Sequence, residues 1–204
     1  MIRILRLIAV IGVVGPSVLG MQPAGAIVDP SGGGAHLPQS HRCSSTSHYT
    51  FSQRCSSWFV YAPYSVDVEP GLSDYAAQID DAAQAWYNTP TWLDPYRVAD
   101  PSQARIHIHV VSATHDSVWG DTWWSQTNGI ITQDDIWLYA PTIDANWNGD
   151  GSLAGVIAHE FGHAFGLNHP NDCAPSIMVP GGVGCATYST PQPTDIDDIR
   201  TLYP

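Results

Sequence analysis

Apolar residues follow two periodicities along the chain, and each predicts a different kind of element. Between residues 74 and 87 they recur at the spacing of one helix face, and the Asn-Thr-Pro sequence at 88–90 ends that pattern. Residues 106–110 alternate between apolar side chains and histidines, which predicts a half-buried strand. Less regular alternation at 58–68 and 129–139 predicts two more strands.

Two further helices are predicted in the second half of the chain. Residues 152–165 are an apolar stretch with helical spacing, preceded by a loop rich in glycine and asparagine at 144–151. Residues 195–203 form the last helix, and Thr194 with Asp197 resembles a capping box at its start. A proline-rich loop separates these two helices. The order of elements predicts one mixed α+β domain.

The charge of the chain excludes one class of partner. Its 204 residues carry a formal net charge of -12, and all seven basic residues are arginine. Nucleic-acid binding needs a basic surface, so we expect no nucleic-acid partner. The acidic residues are almost all aspartate, because the chain has only two glutamates, Glu69 and Glu160.

Residues 1–26 have the composition of a secretory signal peptide. Arg3 and Arg6 precede an apolar run at 7–14, and Ala24-Gly25-Ala26 is a small-residue cleavage site. The alternative is a membrane anchor, which needs about 20 apolar residues, and this run is far shorter. We therefore expect a secreted, extracellular protein with no membrane partner.

The cysteines fit an extracellular location, because they pair under oxidising conditions. The chain has four of them, which allow three connectivities. Pairing of sequence neighbours, Cys43–Cys55 and Cys173–Cys185, is the connectivity we favour.

The helix predicted over 152–165 carries the chemistry. Residues four apart share one helix face, so His159 and His163 can direct two imidazole nitrogens to one metal ion. Gly166 is placed to end the helix in a left-handed conformation, after which the chain can return His169 as a third ligand. Three protein ligands and an open fourth position are typical of catalytic zinc. The alternative, a buried helix that merely contains histidines, would leave three imidazoles without partners.

The same residues resemble a known family. The pattern His159-Glu160-x-x-His163-x-x-Gly166-x-x-His169, followed by Met178, is the signature of the metzincin zinc peptidases. Residues 159–167 and 195–203 are most similar to the matrixins. Two features differ from the vertebrate matrixin pattern: Pro170 follows the third histidine, and Cys173 and Cys185 bracket the methionine as in snapalysins. Arg42-Cys43 is only faintly similar to the matrixin cysteine switch.

This resemblance implies a fold, an activity and a set of roles. The fold is a metzincin- or matrixin-like α+β catalytic domain, with a small twisted mixed sheet over an active-site helix and a C-terminal helix. It implies that His159, His163 and His169 bind one catalytic zinc, with Glu160 as the general base toward a zinc-activated water and Met178 beneath the metal. The strand at 129–139 would be the edge strand that binds an extended substrate.

The implied protein is a secreted zinc metalloendopeptidase that acts on proteins or peptides as a monomer. On this interpretation residues 1–26 are the signal peptide, 27–47 a flexible lead or short propeptide, and 48–204 the catalytic domain. Two alternatives remain. One is a zinc-bearing but non-hydrolytic module that binds a surface or polymer, and the other is a cell-wall peptide hydrolase.

Three weaker patterns have two interpretations each. Oxygen-bearing side chains alternate as in the first half of a calcium loop, although the loop's final glutamate is absent and a set of Asx turns explains them equally. These residues are Asp144, Asn146, Asn148 and Asp150. His107 and His109, with His115-Asp116 nearby, suggest a second zinc or, preferably, a solvated strand face. Trp119, Trp123 and Trp124 are interpreted as a short loop that packs in the core or binds a surface.

Overall fold

The computed structural model describes residues 22–23, 61–115, 117–127, 130–170, 172–181 and 184–202. Six strands and four helices occur in these residues. In chain order they are β1 (Gln22–Pro23), β2 (Tyr61–Val68), α1 (Ala76–Tyr87), β3 (Asp94–Arg97), β4 (Ile106–Val111), β5 (Gly120–Thr127), β6 (Ile130–Tyr139), α2 (Ala140–Asn146), α3 (Ser152–Ala164) and α4 (Pro193–Leu202). A 3-10 turn, Pro101–Gln103, precedes β4.

The strands form one mixed sheet in the order β1-β5-β6-β4-β2-β3. Strands β3, β2, β4 and β6 are parallel, whereas β5 runs antiparallel to β6 and has only the two-residue β1 on its outer side. The prediction that residues 129–139 supply the edge strand is therefore wrong. Strand β6 pairs on both sides, which suits its fully buried Ile136 and Leu138, and β5 takes the place near the edge.

Helices α1 and α3 pack on one face of the sheet, which we call the inner face. The apolar members of β4 lie on this face and are fully buried, as the alternation of 106–110 predicts. Tyr64 of β2 contacts Phe161 of α3 edge to face, with ring centroids 5.4 Å apart. Trp86 of α1 is fully buried, and its indole Nε1 donates to the Ala158 carbonyl of α3 at 2.8 Å. These contacts hold α3 in one orientation under the sheet.

The other predicted helices and strands are present with small shifts at their ends. Helix α1 begins at Ala76, whose amide donates to the Asp74 carboxylate at 3.2 Å. Helix α3 ends at Ala164, and α4 begins at Pro193. The Cys173–Cys185 disulfide is confirmed, with the two Cα atoms 5.3 Å apart. Together these features confirm the α+β class and the metzincin-like layering of sheet over helix.

Four of the strands and helices in the described residues were not predicted, namely β1, β3, β5 and α2. Strand β5 corrects the interpretation of residues 119–124 as a loop, because Trp123 and Trp124 lie within it. The strand shows no alternation of apolar and polar residues, because polar side chains face both sides of the sheet. Asp121 and Thr122 are adjacent, so they lie on opposite faces, and both are buried. Helix α2 covers the first part of the loop predicted at 144–151.

Several predictions fall outside the described residues. They are the Cys43–Cys55 disulfide, the lead at 27–47 and, apart from β1, the signal peptide at 1–26. Within the described part of the chain, no helix combines the length and the apolar character needed to cross a bilayer.

Candidate metal centre and active site

Helix α3 and the turn that follows it bring three histidines together under the sheet. The Nε2 atom of His159 lies 3.1 Å from Nε2 of His163 and 3.2 Å from Nε2 of His169. One ligand atom from each residue lies within 4.8 Å of the others, and no other group of three such residues occurs in the described ranges. The two histidines from α3 lie one helical turn apart, so their proximity follows from the backbone alone.

The protein sets the protonation of two of these rings through their other nitrogen. Nδ1 of His159 lies 2.8 Å from the Ile177 carbonyl, and Nδ1 of His163 lies 2.9 Å from the Leu167 carbonyl. A carbonyl oxygen can only accept, so each Nδ1 carries the proton and each Nε2 presents its lone pair. Second partners of this kind orient the histidine ligands of metal sites.

The end of α3 explains how His163 and His169 reach the centre. Gly166 has a φ of 101°, the left-handed conformation that its position predicts. The amides of Gly166 and Leu167 then donate to the carbonyls of His163 and Gly162, both at 2.9 Å, which closes the helix. The same turn directs the Leu167 carbonyl back to His163 and lets the chain return His169.

A buried carboxylate holds the Met178 turn against the centre. Asp195 of α4 is fully buried and accepts from the Ser176 hydroxyl at 2.6 Å, the Ile177 amide at 2.9 Å and the Gln192 amide at 2.7 Å. Ile177 also supplies the carbonyl that orients His159. Asp195 therefore supports the orientation of His159 through its hydrogen bond to the Ile177 amide. Sequence reasoning missed Asp195.

The capping box at the start of α4 joins Gln192 and Asp195 instead of the predicted pair, Thr194 and Asp197. Its bond to the Gln192 amide is the contact that the third residue of a helix makes with the N-cap in a capping box. The expected capping pair, Thr194 and Asp197, is therefore wrong, since Asp197 is exposed and lies 3.6 Å from Arg200. The motif is displaced by two residues, because α4 begins at Pro193.

Met178 packs against α3 at Gly162. It is fully buried, and a Cβ at Gly162 would overlap its sulfur and lie 3.2 Å from Cζ2 of Trp86. Glycine at position 162 therefore lets the methionine turn approach α3 between the two helical histidines.

The donor set fits zinc. Tetrahedral zinc at about 2.0–2.1 Å from each nitrogen places the nitrogens about 3.3–3.4 Å apart, close to the spacing in this centre. The lone pairs of His159 and His163 face each other at 3.1 Å, an arrangement that a cation between them would stabilise. Burial lowers the pKa of His163 well below its ordinary value, and burial and the neighbouring His159 lower the pKa of His169 to about 3. The rings are therefore neutral, as metal binding requires.

Glu160 lies on the sheet side of α3, beside the histidines and almost fully buried. Burial raises the pKa of its carboxyl to about 8 and Asp121 adds to the shift, whereas the hydrogen bond from Thr122 opposes it. A cation held by the adjacent histidines would also oppose it. The Thr122 hydroxyl donates to Oε2 of Glu160 at 2.7 Å, a contact that sequence reasoning did not anticipate.

The calcium prediction receives no support. Asp144 accepts from the Tyr75 hydroxyl at 2.6 Å, and Asn146 lies in α2, where its side-chain amide donates to the Thr142 carbonyl. Asn148 and Asp150 accept from backbone amides two residues ahead of each, at 3.1 and 2.9 Å. These last contacts are the Asx turns of the alternative interpretation.

The paired histidines of β4 do not form a second centre in the described residues. Nδ1 of His107 lies 3.2 Å from the Ser65 hydroxyl, and Nε2 of His109 lies 2.9 Å from Oδ1 of Asp135. The His109 ring stacks on Trp137 with centroids 4.3 Å apart. This sheet face, opposite α3, is half-buried and hydrogen-bonded, so the expectation of a solvated face is only partly correct.

The fold and the centre together define a class, the metzincin type of zinc peptidase. The family model described as Matrixin matches residues 71–204, more than half of the 204-residue chain. The protein therefore belongs to the matrixin family.

Curated relatives align with a shorter segment. The chain is 44% identical over 64 residues to matrix metalloproteinase-27 of Tupaia belangeri and 42% identical over 64 residues to that of Homo sapiens. Each alignment spans 29% of this chain and only 12% of the relative. Among solved structures, high choriolytic enzyme 1, a hatching enzyme zinc-protease from Oryzias latipes (medaka fish), is 17% identical with a TM-score of 0.43, covering 83% of this chain and 97% of its own.

Proposed function

We propose that the protein is a secreted zinc-dependent endopeptidase that hydrolyses peptide bonds in protein substrates. One observation carries the proposal. Nε2 of His159 lies 3.1 Å from Nε2 of His163 and 3.2 Å from Nε2 of His169, close to the nitrogen spacing around one tetrahedral zinc, and the buried carboxylate of Glu160 lies beside them on α3. Membership of the matrixin family supports the same activity.

His159, His163 and His169 would hold the metal, with the orientation of the first two maintained by the Ile177 and Leu167 carbonyls. When bound, zinc supplies a Lewis acid that polarises the peptide carbonyl and makes water more acidic. Because three protein ligands converge in the described residues, a tetrahedral ion there would keep one position for water and substrate.

Glu160 is proposed to move the proton. Its carboxylate accepts a proton from the attacking water and delivers it to the departing amine, so the charge that develops on nitrogen is neutralised as the peptide bond breaks. An aspartate at this position would end one methylene short of the same point. The burial of Glu160 excludes bulk water from competing for that proton.

The outer edge of β5 is proposed to bind the substrate main chain. Strand β5 contacts α3, and Gln22 and Pro23 pair with it antiparallel opposite Trp124 and Trp123. An extended peptide segment can therefore pair with this edge through main-chain hydrogen bonds. Those two residues lie within the predicted signal peptide, so its removal would leave the edge open to substrate.

Secretion has separate support. The Cys173–Cys185 disulfide brackets the methionine turn, and such bonds persist in oxidising compartments. The signal peptide at 1–26 is proposed on composition. Sequencing the N-terminus of protein recovered from the medium should begin at Ile27, or near residue 48 if residues 27–47 are a short propeptide, and an intact N-terminus would contradict that part of the proposal.

One competing function, the zinc-binding module, loses the feature that suggested it. The binding-module alternative relied on a tryptophan loop, but Trp123 and Trp124 lie within strand β5. A pure zinc-binding module also has no need for a buried carboxylate beside the ligands.

The test combines metal analysis with two substrates. We expect one zinc per protein, cleavage of casein, loss of cleavage on chelation and recovery on zinc addition. Cleavage of purified cell-wall peptides without casein cleavage would support the second alternative. Full casein cleavage by metal-free protein would overturn the proposal.

A further inference from the structure

Two residues on the inner face of β5, Gly120 and Thr122, adjoin the side chain of Glu160. Gly120 and Thr122 are two residues apart on the strand, so both face α3. One supplies space and the other a hydrogen bond. The matrixin signature on α3 contains neither residue, because they precede Glu160 by about forty positions.

Thr122 fixes the carboxylate end. Its side chain is fully buried, and its hydroxyl lies 2.7 Å from Oε2 of Glu160 and 3.1 Å from the Glu160 carbonyl. A carboxylate oxygen can only accept, so the hydroxyl donates to it, and a bond to a charged acceptor is among the stronger neutral-donor contacts. Threonine is restricted at χ1, so the hydroxyl has few alternative directions. This contact occupies one acceptor site of the carboxylate and so restricts the orientation of the whole group.

Gly120 leaves room for the side-chain stem. A Cβ at this position would stand 3.3 Å from Cγ of Glu160, 3.2 Å from Cδ2 of Leu138 and 3.2 Å from the Trp137 carbonyl. The last of these is backbone of the paired strand β6, which cannot move without disturbing the sheet. Any side chain at 120 would therefore displace the Glu160 stem by a few tenths of an ångström.

We propose that Gly120 and Thr122 are positioning residues, which hold the Glu160 carboxylate in one orientation toward the open side of the histidine centre. The inference rests on the proposed role of Glu160 as the base. Its physical basis is that a proton acceptor must lie within hydrogen-bond reach of the water, and a misplacement of 1 Å can cost a hundredfold in rate.

The first experiment separates positioning from folding. Thr122→Val removes the hydroxyl with little change in volume, whereas Thr122→Ser retains it. We expect Thr122→Val to lower kcat about tenfold to a hundredfold with KM, zinc content and thermal midpoint close to those of the parent protein. Thr122→Ser should recover most of kcat. Thr142→Val is the matched control, because Thr142 is buried in α2 and the chemical change is the same.

The second experiment does not depend on activity. The chain contains only two glutamates, so selective carbon-13 labelling of the glutamate carboxyl carbon gives two resonances, and Glu160→Gln identifies one by deleting it. In metal-free and in zinc-loaded protein, Thr122→Val should shift the Glu160 resonance and leave that of Glu69 in place. Thr142→Val should shift neither.

The outcomes distinguish this inference from the proposed function. If the parent protein cleaves peptides, Glu160→Gln does not, and Thr122→Val retains full kcat with an unshifted Glu160 resonance, the positioning role is wrong and the base survives. If the parent protein does not cleave peptides, the proposed function fails and the labelling alone decides the contact. Should Thr122→Val fold poorly, Gly120→Ala provides the independent variant, with kcat expected to fall while zinc stays bound.

Discussion

Two regions of this protein place histidines close together, and only one of them has the geometry of a metal centre. In the outer region, on the sheet face opposite α3, His107 and His109 stack with ring centroids 6.4 Å apart. In the inner region, His159 and His163 approach to 3.1 Å between Nε2 atoms. The backbone explains the difference. Alternate strand residues are about 6.5 Å apart along the strand, whereas residues one helical turn apart lean over the same point.

The partners of the rings differ as well. Each outer histidine bonds to a side chain, His107 to Ser65 and His109 to Asp135. Asp135 is in turn fixed by the Gln133 amide at 3.0 and 3.1 Å. The inner histidines use backbone carbonyls at Nδ1, which leaves their Nε2 lone pairs directed at one another. A histidine pair thus marks a metal site when the protein satisfies only the nitrogens that face away from the centre.

Removing an inner ligand should have the largest effect. His163→Ala takes away one of three converging nitrogens, so we expect loss of bound zinc and a fall in casein cleavage on the order of a thousandfold or more. Metal analysis and a cleavage assay measure both. His107→Ala is the matched change in the outer region and should keep one zinc. Equal loss of zinc in the two variants would remove the distinction between the regions.

Glu160→Gln should come next, because it retains the inner centre and removes only the proton acceptor. Loss of general-base catalysis is expected to lower kcat by about 10²–10⁴-fold with zinc content unchanged. Steady-state kinetics on zinc-loaded protein gives the value. A variant with parent-like kcat would show that the carboxylate does not carry the proton.

Asp195→Ala tests the support behind the inner centre. It leaves the Ser176 hydroxyl and the amides of Ile177 and Gln192 without their acceptor in a buried site, so we expect about 3 kcal/mol of destabilisation in urea unfolding. Zinc affinity should fall by about tenfold to a hundredfold, because Ile177 orients His159. Asp197→Ala, an exposed change on the same helix, serves as the control and should leave both unchanged. An unaltered zinc affinity in Asp195→Ala would mean that the Asp195 hydrogen bonds contribute to stability but not to zinc binding.

His109→Gln should have the smallest effect. The change weakens the contact with the buried Asp135 and the stacking on Trp137, which predicts a loss of about 1 kcal/mol in unfolding free energy. Zinc content and kcat should match those of the parent protein. A loss of zinc from this variant would indicate that the two faces of the sheet are coupled.

The inner centre could be predicted because its spacing is local. His159, His163 and Gly166 are related by helix geometry over about two turns, and the structure places all three as expected. The Cys173–Cys185 pair and the alternation of β4 were predictable for the same reason, since each depends on neighbours in sequence.

The hydrogen bonds that hold the centre in place could not be predicted, because each joins residues that are distant along the chain. Thr122 and Glu160 are 38 residues apart, and Ser176 and Asp195 are 19 apart. Strand β5 also conceals its pattern, since polar Thr122 faces the active-site helix where a core strand would carry an apolar residue. Local periodicity contains no information about which strand lies beside which helix.

The sequence by itself therefore determined the three candidate zinc ligands, the helix that carries two of them and the family. Tertiary structure decided which strand lies at the edge, which carboxylate clamps the methionine turn and which hydroxyl meets Glu160. The physical reason is that ligand spacing is set by bonds and dihedrals within one helix, whereas each support exists only after separate elements pack and bury their polar groups against one another.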